Sequence, residues 1–367
     1  MTVAPGAGAQ QHACISCGAA LEFAPGTAGL RCPYCGAVQP VSAVPAAVAD
    51  VRRDYLAYAR QPGPPVAQLP PFRLDCRGCG SSTKTTAIAS RCPHCTAPLV
   101  ALDDLGGQLL PADAVVPFVV DEQAALASFR AWTSSRWFAP NSLKQVGTTQ
   151  SLLGGYVPHW GFDDDTVTDY TGQRGEYYYT TESYTTTENG RSVTRTRQVR
   201  HTRWWPASGQ VSRAFRDVLA TAASAPAADD LRELGPWRVD QATAFEPGYL
   251  AGVDVPRYDL DPSVGWDDAA RQMAQVIEQD CRADIGGDEQ RVDAMHTLDQ
   301  DVLFRLLLLP LWFASYVTGG VSYRVFINAN TGEVVGDRPY SKVKIALAVL
   351  AVLVLAAVAF LLYAGRR

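Results

Sequence analysis

The chain has 367 residues, with 32 Lys and Arg against 37 Asp and Glu, and 47% of its residues are hydrophobic. This composition excludes wholesale disorder and suffices for one large domain or several small ones. Without the four basic residues that follow Ser341, 28 positive charges face 37 negative ones, a balance of −9. A generally basic nucleic-acid-binding protein is therefore disfavoured.

Eight of the nine cysteines form four Cys-x-x-Cys pairs: Cys14/Cys17, Cys32/Cys35, Cys76/Cys79 and Cys92/Cys95. Two thiolates at this spacing bind one tetrahedral zinc ion. The spacing predicts two zinc ribbons, over residues 10–40 and 72–101, each holding one structural Zn²⁺. Disulfides are the weaker alternative, because cytosolic thiols are kept reduced. His12 and His94 lie beside these pairs, and we expect neither to be a ligand.

A Pro- and Ala-rich linker, residues 41–71, joins the two predicted ribbons. Its helical spacing predicts a short helix near residues 48–60, with Val51, Tyr55 and Tyr58 on one face. We expect this face to pack against a neighbouring ribbon, with partner binding as the alternative.

Residues 102–341 alternate aromatic and polar residues with frequent Gly and Pro, which predicts an α+β body built on antiparallel sheet. Residues 155–162 are expected to form an edge strand, and the run Asp163, Asp164 and Asp165 a solvated turn. Helices are predicted over 121–135, 211–222, 227–234 and 262–283. The last of these carries Cys281 as a core thiol and ends at the glycines of residues 284–288.

Asn189 and Gly190 form the strongest two-residue hairpin signal in the chain and predict a long hairpin over residues 176–203. The predicted register places Glu188, Glu182 and Glu176 opposite Arg191, Arg197 and Arg203. The five arginines of this hairpin could form an anionic-ligand patch, but a self-paired, exposed hairpin is the preferred interpretation.

Residues 345–363 contain no charge and are long enough, at 1.5 Å per residue, to span about 28 Å as a helix. They predict a single-pass membrane anchor. Residues 1–11 lack the apolar segment of a signal peptide, so the bulk of the chain is expected in the bacterial cytoplasm, at the inner membrane. The usual hydrolase, phosphate-loop and dinucleotide motifs do not occur, which predicts that the protein is not an enzyme.

Several motifs together resemble a family of bacterial zinc-ribbon membrane proteins that is often labelled primosomal protein N-prime, or replication factor Y, helicase. They are residues 14–25 (CISCGAALEFAP), 137–141 (WFAPN), 156–162 (YVPHWGF), 284–288 (DIGGD) with Gln290 and Arg291, and 330–334 (NTGEV). Helicase motifs are absent from this chain. The resemblance implies a scaffold-like protein, with SPFH (flotillin-like) and PspA-type proteins as partners at the membrane.

The predicted function is that of a membrane-anchored, cytosol-facing adaptor that docks protein partners. The alternative is a nucleic-acid-binding zinc-ribbon protein tethered to the membrane, because Arg73, Arg77, Lys84 and Arg91 make the second ribbon mildly basic.

Overall fold

A computed structural model provides the fold of the chain. It describes residues 7–8, 12–27, 29–41, 51–76, 78–101, 109–135, 151–188, 191–318, 321–337 and 342–364. The start of the predicted linker helix, the motif at residues 137–141 and the hairpin loop at residues 189–190 lie outside the described residues.

Short elements form the N-terminal part of the chain and long strands form the body. The strands are β1 (Ala7–Gly8), β2 (Glu22–Ala24), β3 (Gly29–Arg31), β4 (Val38–Pro40), β5 (Arg53–Asp54), β6 (Phe72–Asp75), β7 (Ser82–Thr85), β8 (Ala87–Arg91), β9 (Pro98–Val100), β10 (Ala114–Val115), β11 (Ser151–Glu188), β12 (Arg191–Thr221), β13 (Thr243–Ala244), β14 (Val255–Pro256), β15 (Glu289–Thr318), β16 (Val321–Asn328) and β17 (Val334–Gly336). The α-helices are α1 (Tyr55–Arg60), α2 (Glu122–Ser134), α3 (Ala228–Glu233), α4 (Pro262–Ile285) and α5 (Lys342–Ala364).

The first cysteine cluster lies beside a three-stranded sheet of β2, β3 and β4, and the second between the hairpins β6–β7 and β8–β9. Strand β14 of the body pairs with β8 through Val255 and Ala89. The second ribbon and the body therefore share a sheet.

An eight-stranded sheet of largely antiparallel strands forms the centre of the body, which confirms the predicted sheet-rich α+β class. Its main order is β12-β11-β15-β10-β13, and β16 and β5 also pair with β15. Strand β11 pairs with β15 on one side and with β12 on the other. Residues 159–162 are thus in a central strand, and the prediction of an edge strand there is wrong.

The hairpin register is confirmed, because Glu188, Glu182 and Glu176 lie opposite Arg191, Arg197 and Arg203. The hairpin extends much further than predicted. Its strands continue to His159 and Thr221, so residues 211–220 belong to β12. The predicted helix over 211–222 is therefore wrong, because pairing with β11 and packing under α4 override the local helical spacing.

The prediction of a solvated turn at Asp163–Asp165 is also wrong. These residues lie within β11, where the register shifts against both neighbouring strands, and Asp164 is only 1% exposed. A bulge inserts an extra residue into a strand and sharpens its twist, so it redirects local side chains without ending the strand.

Helices α2 and α4 confirm two of the predicted helices. Asp121 caps α2 by accepting a hydrogen bond from the N–H of Ala124, and α4 covers the sheet with its buried face. Cys281 is fully buried on that face, and Gly286 ends the helix at φ 63°. Helix α3 confirms the predicted helix at residues 227–234.

In the linker, helix α1 is shorter than predicted, and strand β5 precedes it. Tyr55 packs against Phe162, Trp266 and Phe304 of the body, with ring centroids 5.9, 5.1 and 6.0 Å away. Packing against a ribbon was expected, so the structure corrects the position of this helix: it docks on the body.

Helix α5 contains the predicted anchor at residues 345–363. In the described part of the chain, none of the helices is found to have both the length and the apolar character that crossing a membrane requires. The side chains of residues 342–343 and 360–362 lie outside the described residues.

Candidate metal centres

The first candidate centre unites Cys14, Cys17, Cys32 and Cys35, as predicted. The Sγ atoms of Cys14 and Cys35 are 3.6 Å apart, and those of Cys17 and Cys32 are 3.5 Å apart. Cys14 and Cys32 are buried, whereas the other two cysteines are exposed. The cluster therefore lies at the surface, with one cysteine of each pair facing the core of the ribbon.

The second candidate centre unites Cys76, Cys79, Cys92 and Cys95 in the same way. Its Sγ–Sγ distances are 3.6 Å between Cys76 and Cys95 and 3.8 Å between Cys79 and Cys92. The ligand atoms of each cluster all lie within 4.8 Å of one another. Both sets of four thiols could hold a metal ion.

The sulfur geometry fits zinc. A tetrahedron with Zn–S bonds of about 2.3 Å has neighbouring sulfurs about 3.8 Å apart. The shortest observed separations, 3.5 to 3.8 Å, agree with that value. Four thiolates also complete the tetrahedron, so no coordination position remains for a substrate or an activated water.

Each Cys-x-x-Cys pair forms the same backbone turn. The N–H of the residue after the second cysteine donates to the carbonyl of the first, over 2.8 to 3.0 Å at Gly18, Gly36, Gly80 and Thr96. All four residues have positive φ, between 61° and 75°. This turn is why glycine follows three of the four pairs, since glycine adopts positive φ without steric cost.

Hydrogen bonds lower the pKa of one buried thiol in each centre, whereas the pKa values of Cys17 and Cys95 are raised to about 12: the Ala19 and Ala97 N–H groups lower them, but hydrogen bonds with neighbouring cysteine sulfurs and burial outweigh that effect. The backbone N–H of Cys35, with that of Tyr34, lowers the pKa of the Cys32 thiol to about 6. In the second centre the Ser81 hydroxyl, 3.4 Å from the sulfur, lowers the pKa of Cys92 to about 6. A metal binds the thiolate, so the bonds to Cys32 and Cys92 reduce the proton competition at these two ligands.

Contacts with the body and between the ribbons fix the position of the two centres. Phe23, on β2, packs on Phe118 at 5.9 Å between ring centroids, and Phe118 packs on Tyr156 of β11 at 5.1 Å. Arg91 of the second ribbon donates two hydrogen bonds to Glu22 of the first, at 2.7 and 3.0 Å. The centres therefore sit at the end of the sheet where β11 begins.

The cations of the second ribbon are partly engaged. Arg91 is paired with Glu22, and Arg73 bonds to Asp75 and Ser82. Lys84 is exposed, and Arg77 lies outside the described residues. Neither His12 nor His94 belongs to a cluster among the described residues.

A buried ionic cluster in the body was not anticipated from the sequence. Arg52 lies 2.7 Å from a carboxylate oxygen of Asp163 and 3.0 Å from one of Asp217. Arg305, only 5% exposed, donates to Asp217 at 2.8 and 2.6 Å. The cluster ties the linker to β11, β12 and β15 where β11 bulges. The sequence feature that could have indicated this cluster is the pair of adjacent arginines, Arg52 and Arg53, in an apolar linker.

Asp164 lies beside this cluster, but the charged group with the strongest effect on it is the carboxylate of Asp299. The Oδ1 atom of Asp164 accepts a hydrogen bond from the N–H of Gln300 at 3.1 Å. Burial, followed by the charge of Asp299, raises the pKa of Asp164 to about 7. The position in the bulge explains the shift, because the carboxylate loses water without gaining a cation.

Comparison with known proteins finds a similarity to a bacterial protein. The chain is 25% identical over 256 residues to a Bacillus subtilis (strain 168) protein described as uncharacterized protein YdjG, and the match covers 67% of this chain and 69% of that protein. Neither a protein-family model nor a solved structure matches the chain.

Proposed function

We propose that this protein is a membrane-anchored adaptor whose two zinc ribbons face the bacterial cytoplasm and dock protein partners at the inner membrane. The observation that carries the proposal is the pair of closed four-thiol centres, which are held on the body while their outer knuckles stay exposed. SPFH and PspA-type proteins are the partners that the family resemblance implies.

The closed donor sets support a structural role for zinc. A metal with four thiolate ligands folds a small module but does not activate water. We therefore propose that zinc shapes the ribbon surface and that the protein has no catalytic role.

The first ribbon supplies the proposed docking surface, its exposed knuckle face. Ile15 and Tyr34 stand between the cysteines of the two knuckles and are 85% and 83% exposed, and Val38 nearby is 63% exposed. Apolar side chains grouped on the surface of a rigid module are typical of protein-binding sites.

The anchor in this proposal rests on residues 345–363 and on the outward apolar side chains of α5. Leu347, Val352 and Leu355 are 60, 65 and 69% exposed, and the described residues of α5 contain one charged residue, Lys344, beyond Lys342 at the helix start. Carbonate extraction of membranes is the direct measurement. Recovery of the full chain in the soluble fraction would overturn this part of the proposal.

Crosslinking followed by pull-down from membranes tests the docking role. Ile15→Ser combined with Tyr34→Ser should remove partners while leaving the cysteines intact. Leu298→Ser is the matched control, because Leu298 is a 64% exposed apolar residue on β15. If the double variant and the control recover the same partners, the proposed docking role of the first ribbon is wrong.

Nucleic-acid binding at the second ribbon is the alternative function. Retention of DNA at low salt that falls steeply as salt rises would support it. The pairing of Arg73 and Arg91 within the protein leaves this alternative less supported than protein docking.

A further inference from the structure

The hairpin over residues 176–203, here called the arm, extends beyond all other packed elements. The pairing of β15 with β11 ends at Gly175, opposite Glu289. Helix α4 ends at Ile285, just before β15 begins, so it ends at the same height along the sheet. Beyond this level the arm contains 13 residues of β11, so it projects about 40 Å at roughly 3.3 Å per residue. At its base Tyr177 and Thr202 bond to Asp288 and Glu289, and most of the other described residues of the arm are exposed.

Strand β12 has an open edge along the arm. It is the outermost strand of the sheet, and among the described residues it pairs with β11 alone. A strand at a sheet edge presents unpaired N–H and C=O groups that can accept a further strand. The arm therefore offers a backbone template as well as side chains.

The charge of this edge has one sign. Between Arg191 and Arg203, β12 carries five arginines and no acidic residue. Cross-strand partners share a face of the ribbon, so Arg191, Arg195, Arg197 and Arg203 lie on one face and Arg200 on the other. The edge is thus basic over 13 residues, and on one face of it arginines occupy four of the seven positions from 191 to 203.

Three of these arginines have described contacts with the neighbouring strand. Arg197 pairs with Glu182 at 3.1 Å, but Glu176 pairs with Arg174 on its own strand at 3.2 Å. Arg200 lies over the ring of Tyr177 at 4.2 Å and Arg203 over Tyr178 at 5.1 Å. The guanidinium groups of Arg200 and Arg203 are held in place by aromatic faces, which leave their charge available to a partner.

We propose that the arm is a second docking site, which binds an extended acidic segment of a protein partner by strand addition to the open edge of β12. Backbone hydrogen bonds would supply affinity, and acidic residues at alternate positions of the added strand would face the arginines. A second copy of this chain is disfavoured, because two-fold pairing of β12 with itself brings arginines together. Nucleic acid is disfavoured because Glu176 and Glu182 share the arginine-rich face and the chain has a net charge of −5.

This site is separate from the ribbon docking proposed above. The arm tip lies 33 residues along β11 from Gly155, which bridges to Asp254 beside the ribbons. At about 3.3 Å per residue, this is up to about 110 Å of strand. The two sites can therefore be tested independently.

Binding of synthetic peptides to the full chain in detergent tests the proposal. The probe is a peptide of about ten residues that alternates Glu and Thr, compared with the same peptide carrying Gln for Glu. Two further forms are N-methylated at alternate residues, one at odd and one at even positions. Because successive N–H groups of a strand point to opposite edges, only one of these forms should lose binding.

We expect the Gln peptide and one N-methylated form to bind about ten-fold more weakly or worse than the parent peptide. Arg195→Glu combined with Arg203→Glu should cause a similar loss. Arg60→Glu combined with Arg271→Glu, which changes the net charge equally on α1 and α4, away from this edge, should not.

Three results would overturn the proposal. They are absence of binding by the parent peptide, equal binding by both N-methylated forms, and tighter binding of single-stranded DNA that competes with the peptide. Unchanged zinc content and unfolding temperature of the arm variant establish that it folds. Neither the Ile15→Ser nor the Tyr34→Ser change should affect peptide binding, so failure of one proposal is distinguishable from failure of the other.

Discussion

Thr96 occupies the position that glycine holds in the other three knuckles. Its φ of 61° is in the left-handed region, where a side chain costs about 1 kcal/mol relative to glycine. The Thr96 hydroxyl bonds to the Cys95 carbonyl at 2.7 Å and offsets part of this cost.

We expect Thr96→Gly to stabilise the second centre by up to about 1 kcal/mol, because glycine removes the backbone strain. Competition with a chromophoric chelator measures the change as slower or less complete loss of metal. Gly80→Ala, at φ 73°, is the opposite control and should speed the loss. A faster loss from Thr96→Gly would show that the hydroxyl bond outweighs the strain.

Asp164 gives the protein a predictable dependence of stability on pH. Its pKa of about 7 in the folded state, set by burial and then by Asp299, lies above the roughly 3.9 of an unfolded aspartate. Between these values the folded state binds more protons than the unfolded state. The contribution of Asp164 to stability is therefore largest at acid pH and declines as pH rises from about 4 to about 7.

Asp164→Asn should remove this decline, because the amide oxygen can still accept the bond from Gln300 and no charge is buried. We expect a gain of up to about 4 kcal/mol at pH 8, roughly 1.4 kcal/mol for each unit of the pKa difference, and little change at pH 4, measured as unfolding temperature or denaturant midpoint. Asp165→Asn is the control, since Asp165 is exposed and paired with Arg216 at 2.6 Å. A parallel pH profile for Asp164→Asn and the unmodified chain would contradict the assignment.

At the scale of elements, the linker shows how aromatic contacts decide where a short helix docks. Helix α1 has six residues, too few to be stable alone, so its packing on Phe162, Trp266 and Phe304 maintains it. Tyr55 is 7% exposed and makes these contacts, whereas Leu56 is 49% exposed.

Tyr55→Ala should destabilise the docked linker by about 3 kcal/mol, because it removes a buried aromatic side chain. Limited proteolysis is expected to cut residues 51–71 faster in this variant. Leu56→Ala provides a control in the same helix and should change the cleavage rate little. Equal cleavage rates in both variants would contradict a role for Tyr55 in holding the linker.

The structure of the hairpin is determined by residues close to it in sequence, whereas that of the segment after it is determined by residues far away. Counting outward from the sequence signal Asn189-Gly190 predicts the register of the flanking strands, and the opposition of Glu182 and Arg197 confirms it. Residues 211–221 have helical spacing of apolar residues, yet they continue β12 because β11 supplies backbone partners and α4 covers Phe215 and Ala220. No property of the segment itself indicates those partners.

At the scale of the molecule, the long sheet separates two ends. The ribbons, β16 and β17 lie where β11 begins, and the arm lies where it ends. The proposed ribbon docking surface and the proposed arm site are therefore far apart, as an adaptor with two partners would require.

Zinc analysis of the purified full chain should return two ions per molecule, one for each four-thiol centre. Cys14→Ser combined with Cys17→Ser should return one ion, because two remaining thiolates do not hold zinc tightly. Cys281→Ser is the control and should return two, since Cys281 is buried on α4 away from both centres. Two ions in the double variant would contradict the assignment of ligands.

The sequence by itself determined the features that depend on short spacing. These are the four Cys-x-x-Cys turns, the hairpin register and the capped helix α2, each set by residues within a few positions of one another. The tertiary structure alone decided that Asp163 and Asp164 are buried, that residues 211–221 are strand and that the linker docks on the body. Those outcomes depend on Arg52, Arg305, α4 and β11, which are distant in the chain and become neighbours only when the sheet assembles.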